Sequence, residues 1–529
     1  MLGGFFMDFL YRNVHMEQKK WEAATQMTIE EDINVPETKG DCLVILLKDT
    51  TLQVEETRAG RDQVVVKGCL QYQILYETGD GGRLEQLTGN LPFEEVIHVN
   101  GAVPGDMAMT RGVIEDFKVS MINTRKIAIQ SVVMLHVCMQ QLMEEEWTED
   151  VVNCGNGVEK RFEDKNVIQL CQKKSDVLRI KEEIDIPGGY PTMHTLLWKR
   201  VSLGDFETRP MDGKISLKGE LNCFFIYMGQ GVTQSIKMIN KKVPFHGLVE
   251  CSGCQSESQI NVMPMIGQCN AEIKPDLDGE DRVIFLDAVL DLQLRIYEEE
   301  KMTLLQDLYG TTQEIIPEEK IVHAPMISVS GEGKCKVKQI HRLKEGAPKA
   351  VQILHTSGSV YRDVEAWEDS KLKLMGSVQF QVLYLTGDEE MPYAVTECMV
   401  PYALEMDGMT EANVYAKQIL LIEPRIQQAE SSLIDSSEME LKGMVSFHVL
   451  AAGSKDFACV GSAQCKPLDS EKFAALPGMV VCFANKDTPL WEYGKRYYMS
   501  LEELKMLNDK SDDMVKAGES ILVVKGAGR

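Results

Sequence analysis

Residues 64–76 read VVVKGCLQYQILY. Every second side chain (Val64, Val66, Gly68, Leu70, Tyr72, Ile74, Tyr76) is apolar, aromatic or Gly, and Lys67, Gln71 and Gln73 fall between them. A helix would scatter the first set around its axis. The alternation therefore predicts a β-strand with one dry and one largely wet face. The pattern returns at residues 215–227 (ISLKGELNCFFIY) and 372–384 (LKLMGSVQFQVLY), each with Gly fifth and Tyr last. Gly219 stands 151 residues after Gly68, and Gly376 stands 157 after Gly219. The first offset also carries Pro36 onto Pro187, and the second carries Pro191 onto Pro348. Constant offsets over tens of residues predict a triplicated β-domain.

A Gly inside a strand weakens it, so its recurrence points to a bulge, a bend or a close backbone approach. After each Tyr comes a turn signal: Thr78 to Gly82, Gly229 to Gly231, Thr386 to Asp388. A hairpin is expected each time. Downstream lie Leu91-Pro92-Phe93, Val243-Pro244-Phe245 and Val400-Pro401-Tyr402. Pro cannot donate to a ladder, so these belong to an edge or to the start of a strand.

The 529 residues exceed what one core supports, and a net charge of −25 argues against nucleic acid and anionic membrane surfaces. No apolar run is long enough for a transmembrane helix. The opening MLGGFFMDFLYR lacks a basic lead and does not read as a signal peptide. Fourteen scattered Cys read as reduced thiols packed as small apolar groups. The acid runs Glu144-Glu145-Glu146 and Glu298-Glu299-Glu300 read as solvated exits from their domains.

The expected boundaries are a lead-in over 1–30, β-repeats over 31–150, 151–310 and 311–455, a linker over 456–477, and a last module over 478–525. In that module an apolar run from Met479 precedes two helices and a closing strand, a small α+β (βααβ) unit. Ser500 and Glu503 have the spacing of a capping box. Trp491, Leu504, Leu507 and Leu522 are its expected core. Lys495 and Arg496 read either as a solvated helix end or as a contact for an acidic partner.

This module resembles the LysM family through Asp487, Thr488, Leu490, Trp491, Arg496, Tyr497, Glu502, Glu503, Leu504, Leu507, Asn508, Gly518, Glu519 and Leu522. The resemblance implies a partner- or glycan-binding surface at Lys486, Asp487, Thr488, Pro489, Leu490, Asn508, Lys516 and Gly518. Lys486 stands where the family has Gly, and Pro489 is an extra residue. Both make the loop bulkier and stiffer than a sugar groove needs. The three repeats resemble SPOCS domains of endospore-forming bacteria in their E-[ED]-I-x-[VI]-P openings, their Gly-to-Tyr strands and their P-[FY] elements. The fold this implies is mainly β: three tandem SPOCS-like domains and one LysM module. The arrangement is similar to that of spore coat morphogenetic proteins. It implies a scaffold in the mother-cell cytoplasm, at the forespore surface, that binds a coat basement-layer ATPase of the SpoIVA-like kind. Self-association is a further expectation, the repeats forming an elongated platform. The rival is a peptidoglycan-binding wall or cortex protein whose LysM holds N-acetylglucosamine-containing glycan.

No phosphate-binding loop, nucleophile elbow or HExxH helix is present, and no enzyme or cofactor is expected. The one ligand-like set is His246, Cys251, Cys254 and Cys269. A single CxxC without a second pair is a weak zinc signal, and unligated loop thiols are the plainer reading.

Overall fold

The computed structural model describes residues 7–79, 83–155, 157–231, 235–368, 371–388, 391–407 and 419–525. Residues 1–6 of the opening, and Asp80 to Gly82 of the first turn, lie outside the described residues. The chain is mainly β. Unit 1 holds β1 (Asp8–Asn34), β2 (Cys42–Gly60), β3 (Gln63–Thr78), β4 (Leu84–His98), β5 (Ala108–Asn123) and β6 (Lys126–Val152). Unit 2 holds β7 (Val158–Asp185), β8 (Met193–Met211), β9 (Lys214–Gly229), β10 (Ile236–Glu250), β11 (Gln259–Pro275) and β12 (Asp281–Gly310). Unit 3 holds β13 (Gln313–Arg342), β14 (Ala350–Glu368), β15 (Lys371–Thr386), β16 (Tyr393–Asp407), β17 (Ile419–Leu433) and β18 (Glu438–Pro467). Each unit is a sandwich of two three-stranded antiparallel sheets. In unit 1 the orders are β1–β6–β5 and β2–β3–β4, and units 2 and 3 repeat them. Each sandwich closes over its own apolar core.

The repeated strands are β3, β9 and β15, the middle strand of the second sheet in each unit. Val64, Val66, Leu70, Ile74 and Tyr76 are fully buried, as their alternation requires. The central Gly has a specific reason. Opposite it the preceding strand is bulged, between Val54 and Glu56, between Leu203 and Phe206, and between Arg362 and Val364. A Cβ on Gly68 would collide with the Gln53 carbonyl, one on Gly219 would lie 2.7 Å from the Asp205 carbonyl, and one on Gly376 would collide with the Tyr361 carbonyl. On the other side each Gly pairs in register with the aromatic of the P-[FY] element: Phe93, Phe245 and Tyr402. The ring covers the gap that the missing side chain leaves. The prolines sit on β4, β10 and β16, which are sheet edges, where a lost N–H costs no ladder bond. The terminal Tyr is also explained. Tyr76 donates its hydroxyl to the Gly40 carbonyl (3.2 Å), Tyr227 to that of Pro191 (3.1 Å) and Tyr384 to that of Pro348 (3.2 Å). A buried phenol needs such a partner, and each unit supplies the same one.

Several expectations are corrected. Residues 8–30 are no separate lead-in: they form most of β1, a 27-residue strand paired with β6 along its whole length. The supposed linker from 456 begins inside the 30-residue β18, and its remainder contains helix α1 (Ser470–Ala475), capped by Asp469. The first and last strands of every unit outrun their sandwich and continue as a two-stranded ribbon. The three ribbons pack on one another, burying Val14 and Trp147 of unit 1, Val167, Met302 and Leu304 of unit 2, and Val322, Ala324 and Cys459 of unit 3. The ribbons escape a sequence reading because only a few apolar residues on each face the shared core.

The wet face is corrected too. Lys67 and Gln71 are exposed, but Leu75 of β3, Phe224, Ile226 and Met228 of β9, and Leu383 of β15 are buried in a second core shared by the units. Leu47 and Trp198, 151 residues apart, meet there. The three units are therefore gathered around common cores, not strung into an elongated platform. Polar contacts fix the neighbours. Fully buried Arg295 of unit 2 donates to Glu17 (3.1 Å) and Gln140 (3.0 Å) of unit 1. Arg111 of unit 1 pairs with Glu423 of unit 3 (3.4 Å). The acid runs contribute as well: Glu145 accepts from the His323 backbone N–H (2.6 Å), and Glu300 pairs with Arg12. One acid of each run thus joins units, whereas Glu144, Glu146 and Glu299 are exposed as expected.

The last 47 residues described form the expected α+β module: β19 (Met479–Phe483), β20 (Thr488–Pro489), α2 (Leu490–Tyr497), α3 (Leu501–Leu507), β21 (Met514–Val515) and β22 (Ser520–Val524). β19 pairs with β22. Ser500 and Glu503 form the capping box at α3.

Candidate functional site

The module brings two loops together. Asp487 accepts from the Ala517 backbone N–H (2.8 Å), and Thr488 pairs in register with Val515. Lys486, Asp487, Lys516 and Gly518 are exposed on this two-loop surface, with Thr488 and Pro489 half-buried beside them. Gly518 has φ +87°, a conformation that a side chain would strain. Its N–H bonds the Ala484 carbonyl (2.8 Å), closing the turn. Pro489 stands at the N-cap of α2 without a side-chain bond to the helix.

Two residues expected at this surface are elsewhere. Leu490 is fully buried in the module core with Tyr497, Met499, Leu504, Val515, Ile521 and Val523. Asn508 is a clamp: its side chain donates to the Leu504 (2.9 Å) and Leu522 (2.8 Å) carbonyls and accepts from the Leu522 N–H (2.7 Å). The core assignment changes accordingly. Leu504 is fully buried, Leu507 is 38% exposed, and Leu522 is half-buried between the buried Ile521 and Val523. The alternation of β22 puts Ile521 and Val523 inward.

Trp491 is buried, but outside the module's own apolar core. Its ring meets Tyr309 of β12 edge-on (centroids 4.7 Å, planes at 72°), and its Nε1–H donates to Asp307 (2.8 Å). Lys495, one turn later on the same face of α2, donates to both Asp307 oxygens at 2.7 Å. Tyr309 donates its hydroxyl to the Met499 carbonyl (2.8 Å), and Arg161 lies 5.8 Å from the Trp491 ring. A Cβ on Gly494 would collide with the Tyr309 hydroxyl, so a Gly there permits the approach. Burial, helped by Glu159 and Asp307, pushes the Tyr309 hydroxyl above its ordinary range. Burial first, then Glu502, pushes Glu159 up as well. Trp491 is thus the anchor that docks the module on unit 2, and Lys495 does meet an acid, one in its own chain. Asp307 and Tyr309 were not singled out from the sequence. In the structural register Asp150 follows the irregularity of β6 as Asp307 follows that of β12, whereas Val152 stands where unit 2 has Tyr309.

The four metal candidates are not brought together. His246 is exposed on β10, opposite Lys218. Cys251 and Cys254 are buried in a turn closed by the bond from the Cys254 N–H to the Cys251 carbonyl (3.0 Å). The same turn in unit 1 carries Val99 and Ala102, closed by the same bond (3.3 Å), so the two thiols fill apolar core positions. Cys269 belongs to β11, beside Cys223. Among the described residues no group of three or more His, Cys, Asp or Glu is placed to hold a metal ion. All fourteen cysteines are unpaired. No helix among the described residues is long and apolar enough to cross a membrane.

A family model described as SipL, SPOCS domain, matches residues 41–122 and 192–274. These stretches coincide with β2 to β5 of unit 1 and β8 to β11 of unit 2. The long outer strands lie beyond them, and β14 to β17 of unit 3 repeat the same four strands. No curated protein matches the chain, and neither does any solved structure. SPOCS domains are not an enzyme family, and the matched stretches suggest a sporulation-related role. Two of the three units thus match the SPOCS-domain model, a likeness consistent with a SipL-like SPOCS protein.

Proposed function

We propose that the chain is a non-enzymatic scaffold of spore coat assembly, working in the mother-cell cytoplasm. In this reading the three units form a fixed platform, and the C-terminal module is a LysM domain that binds a coat morphogenetic ATPase. The observation that carries the reading is the exposed two-loop surface of Lys486, Asp487, Lys516 and Gly518 on a module held by unit 2. A protein surface can match the bulk and charge of Lys486 and the stiffness of Pro489; a sugar groove built on Gly and free amides is poorly served by both. The test is titration of the full chain with the purified coat ATPase, and separately with chitin or muropeptide oligomers. Capture of the ATPase, weakened by Lys486→Glu with the fold intact, is the expected result. Sugar binding without ATPase binding would overturn the proposal in favour of a glycan-binding wall or cortex protein.

A further inference from the structure

Unit 2 contributes no side chain to the module's apolar core. That core, from Ala484 to Val523, is complete without Trp491. What joins the module to unit 2 is mostly polar: Asp307 serving two donors, the Leu501 N–H on Glu159, one ring pair with Arg161 5.8 Å from the indole, and one phenol on a carbonyl. Interfaces of that kind within a chain permit relative motion, whereas the cores shared by the three units do not. Glu159 accepts the Leu501 backbone N–H at this dock, while the charges of Glu502 and Glu503 nearby oppose its own. Helix α1 travels with the module, since Phe473 meets Tyr498 and Lys525 donates to the Phe473 carbonyl (3.1 Å). The few residues just after β18 are then left to act as the hinge.

We infer that the dock is a reversible latch, and that its release uncovers a second recognition face, Trp491 with Lys495 on α2. The ligand this face fits is an extended protein segment with a carboxylate two residues before an aromatic ring, because Asp307-Leu308-Tyr309 is the segment seated on it. The carboxylate takes the indole N–H and the ammonium together, and the ring stands on the indole where Gly494 leaves room. The latch hides this face until such a segment displaces it. The inference concerns α2, not the two loops, and stands whatever those loops bind.

The experiment uses the full chain and a synthetic peptide of residues 303–310, TLLQDLYG. Asp307→Ala should speed amide exchange across α2 and at Leu501 while β19 and β22 stay protected. It should also tighten peptide binding roughly tenfold over the wild-type chain, because the competing internal segment is gone. Trp491→Ala added to Asp307→Ala should abolish that binding. Gly494→Ala, whose methyl blocks the ring of either segment, should open the latch and fail to bind. Unchanged exchange in Asp307→Ala, or peptide binding equal in both chains or absent from both, would overturn the latch. Should Asp307→Ala unfold unit 2, Tyr309→Ala opens the latch from the same strand and carries the same expectations. None of these readings involves the coat ATPase, so they fail or succeed apart from the proposed function.

Discussion

Units 1 and 2 meet each other in one way, and unit 2 meets the C-terminal module in another. Between the units lie Leu46, Leu47, Leu75, Trp198, Phe224 and Ile226, buried side chains from both partners in one apolar cluster. Between unit 2 and the module lie two rings and a carboxylate with its donors. Apolar area is non-directional and accumulates, so the first contact gives pieces that have no stable life apart. Charge-assisted bonds are strong only in one geometry, and water replaces them on separation. The platform is thus one cooperative body, and the module is a body of its own.

The largest test of that contrast is Trp198→Ala. The cavity should cost about 3–5 kcal/mol and lower one shared unfolding transition, followed by calorimetry. Separate melting of unit 2 beneath an unchanged unit 1 would break the contrast. Acid comes next. His355 stacks on Phe224 of unit 2 (centroids 3.5 Å), and burial, with Arg200 nearby, holds its imidazole down to about 3. His448, bonded to Asn261 of unit 2 (2.9 Å), is held down to about 4 by burial and Arg425. Both folded values lie below the ordinary one, so the unfolded chain takes up the extra protons and stability falls as pH drops below about 6.5. Going from pH 7 to 5 should cost about 2 kcal/mol for each imidazole, read from denaturant midpoints. His355→Phe should remove its share of that pH slope.

A smaller effect is expected at Tyr384→Phe. Losing the bond to Pro348 should cost about 1 kcal/mol in unit 3, and the same change at Tyr76 or Tyr227 should match it. Values that differ severalfold would show that the units are equivalent in geometry but not in energy. The smallest is Leu507→Ser, expected within about 0.5 kcal/mol of wild type because the side chain is exposed. A loss near that of a core leucine would restore Leu507 to the core.

Much of the fold could be read from residues 64–76 alone. Alternation gave the strand, its recurrence gave the units, and the Gly and Tyr had the local roles their chemistry suggests. What escaped was long-range. The ribbons present few apolar residues each, and their pairing spans more than a hundred residues of chain, as between Val14 and Glu145. Leu75 and Phe224 follow the alternation into the supposedly wet face, and only a neighbouring unit explains them. The candidate site was half legible. The loops at Lys486 and Lys516 are adjacent, whereas Leu490, Asn508 and Leu507 were misassigned because a short helix gives too little period to fix its buried face. Trp491 was expected inside its own module because no local pattern announces a partner as remote as Asp307.

Each ribbon pairs the strand by which the chain enters a unit with the strand by which it leaves. Asp8 lies beside Val152, Val158 beside Gly310 and Gln313 beside Pro467. Entry and exit therefore share one end, and tension applied along the chain would load every ribbon at its tip. A ribbon pulled in that way opens like a zipper, one rung at a time, and does not resist in shear with all its rungs at once. The sandwiches lie beyond the far end of the ribbons and would feel the load last. A force that stretched this chain would first spend the ribbons as extensible slack, with the folded units still whole behind them.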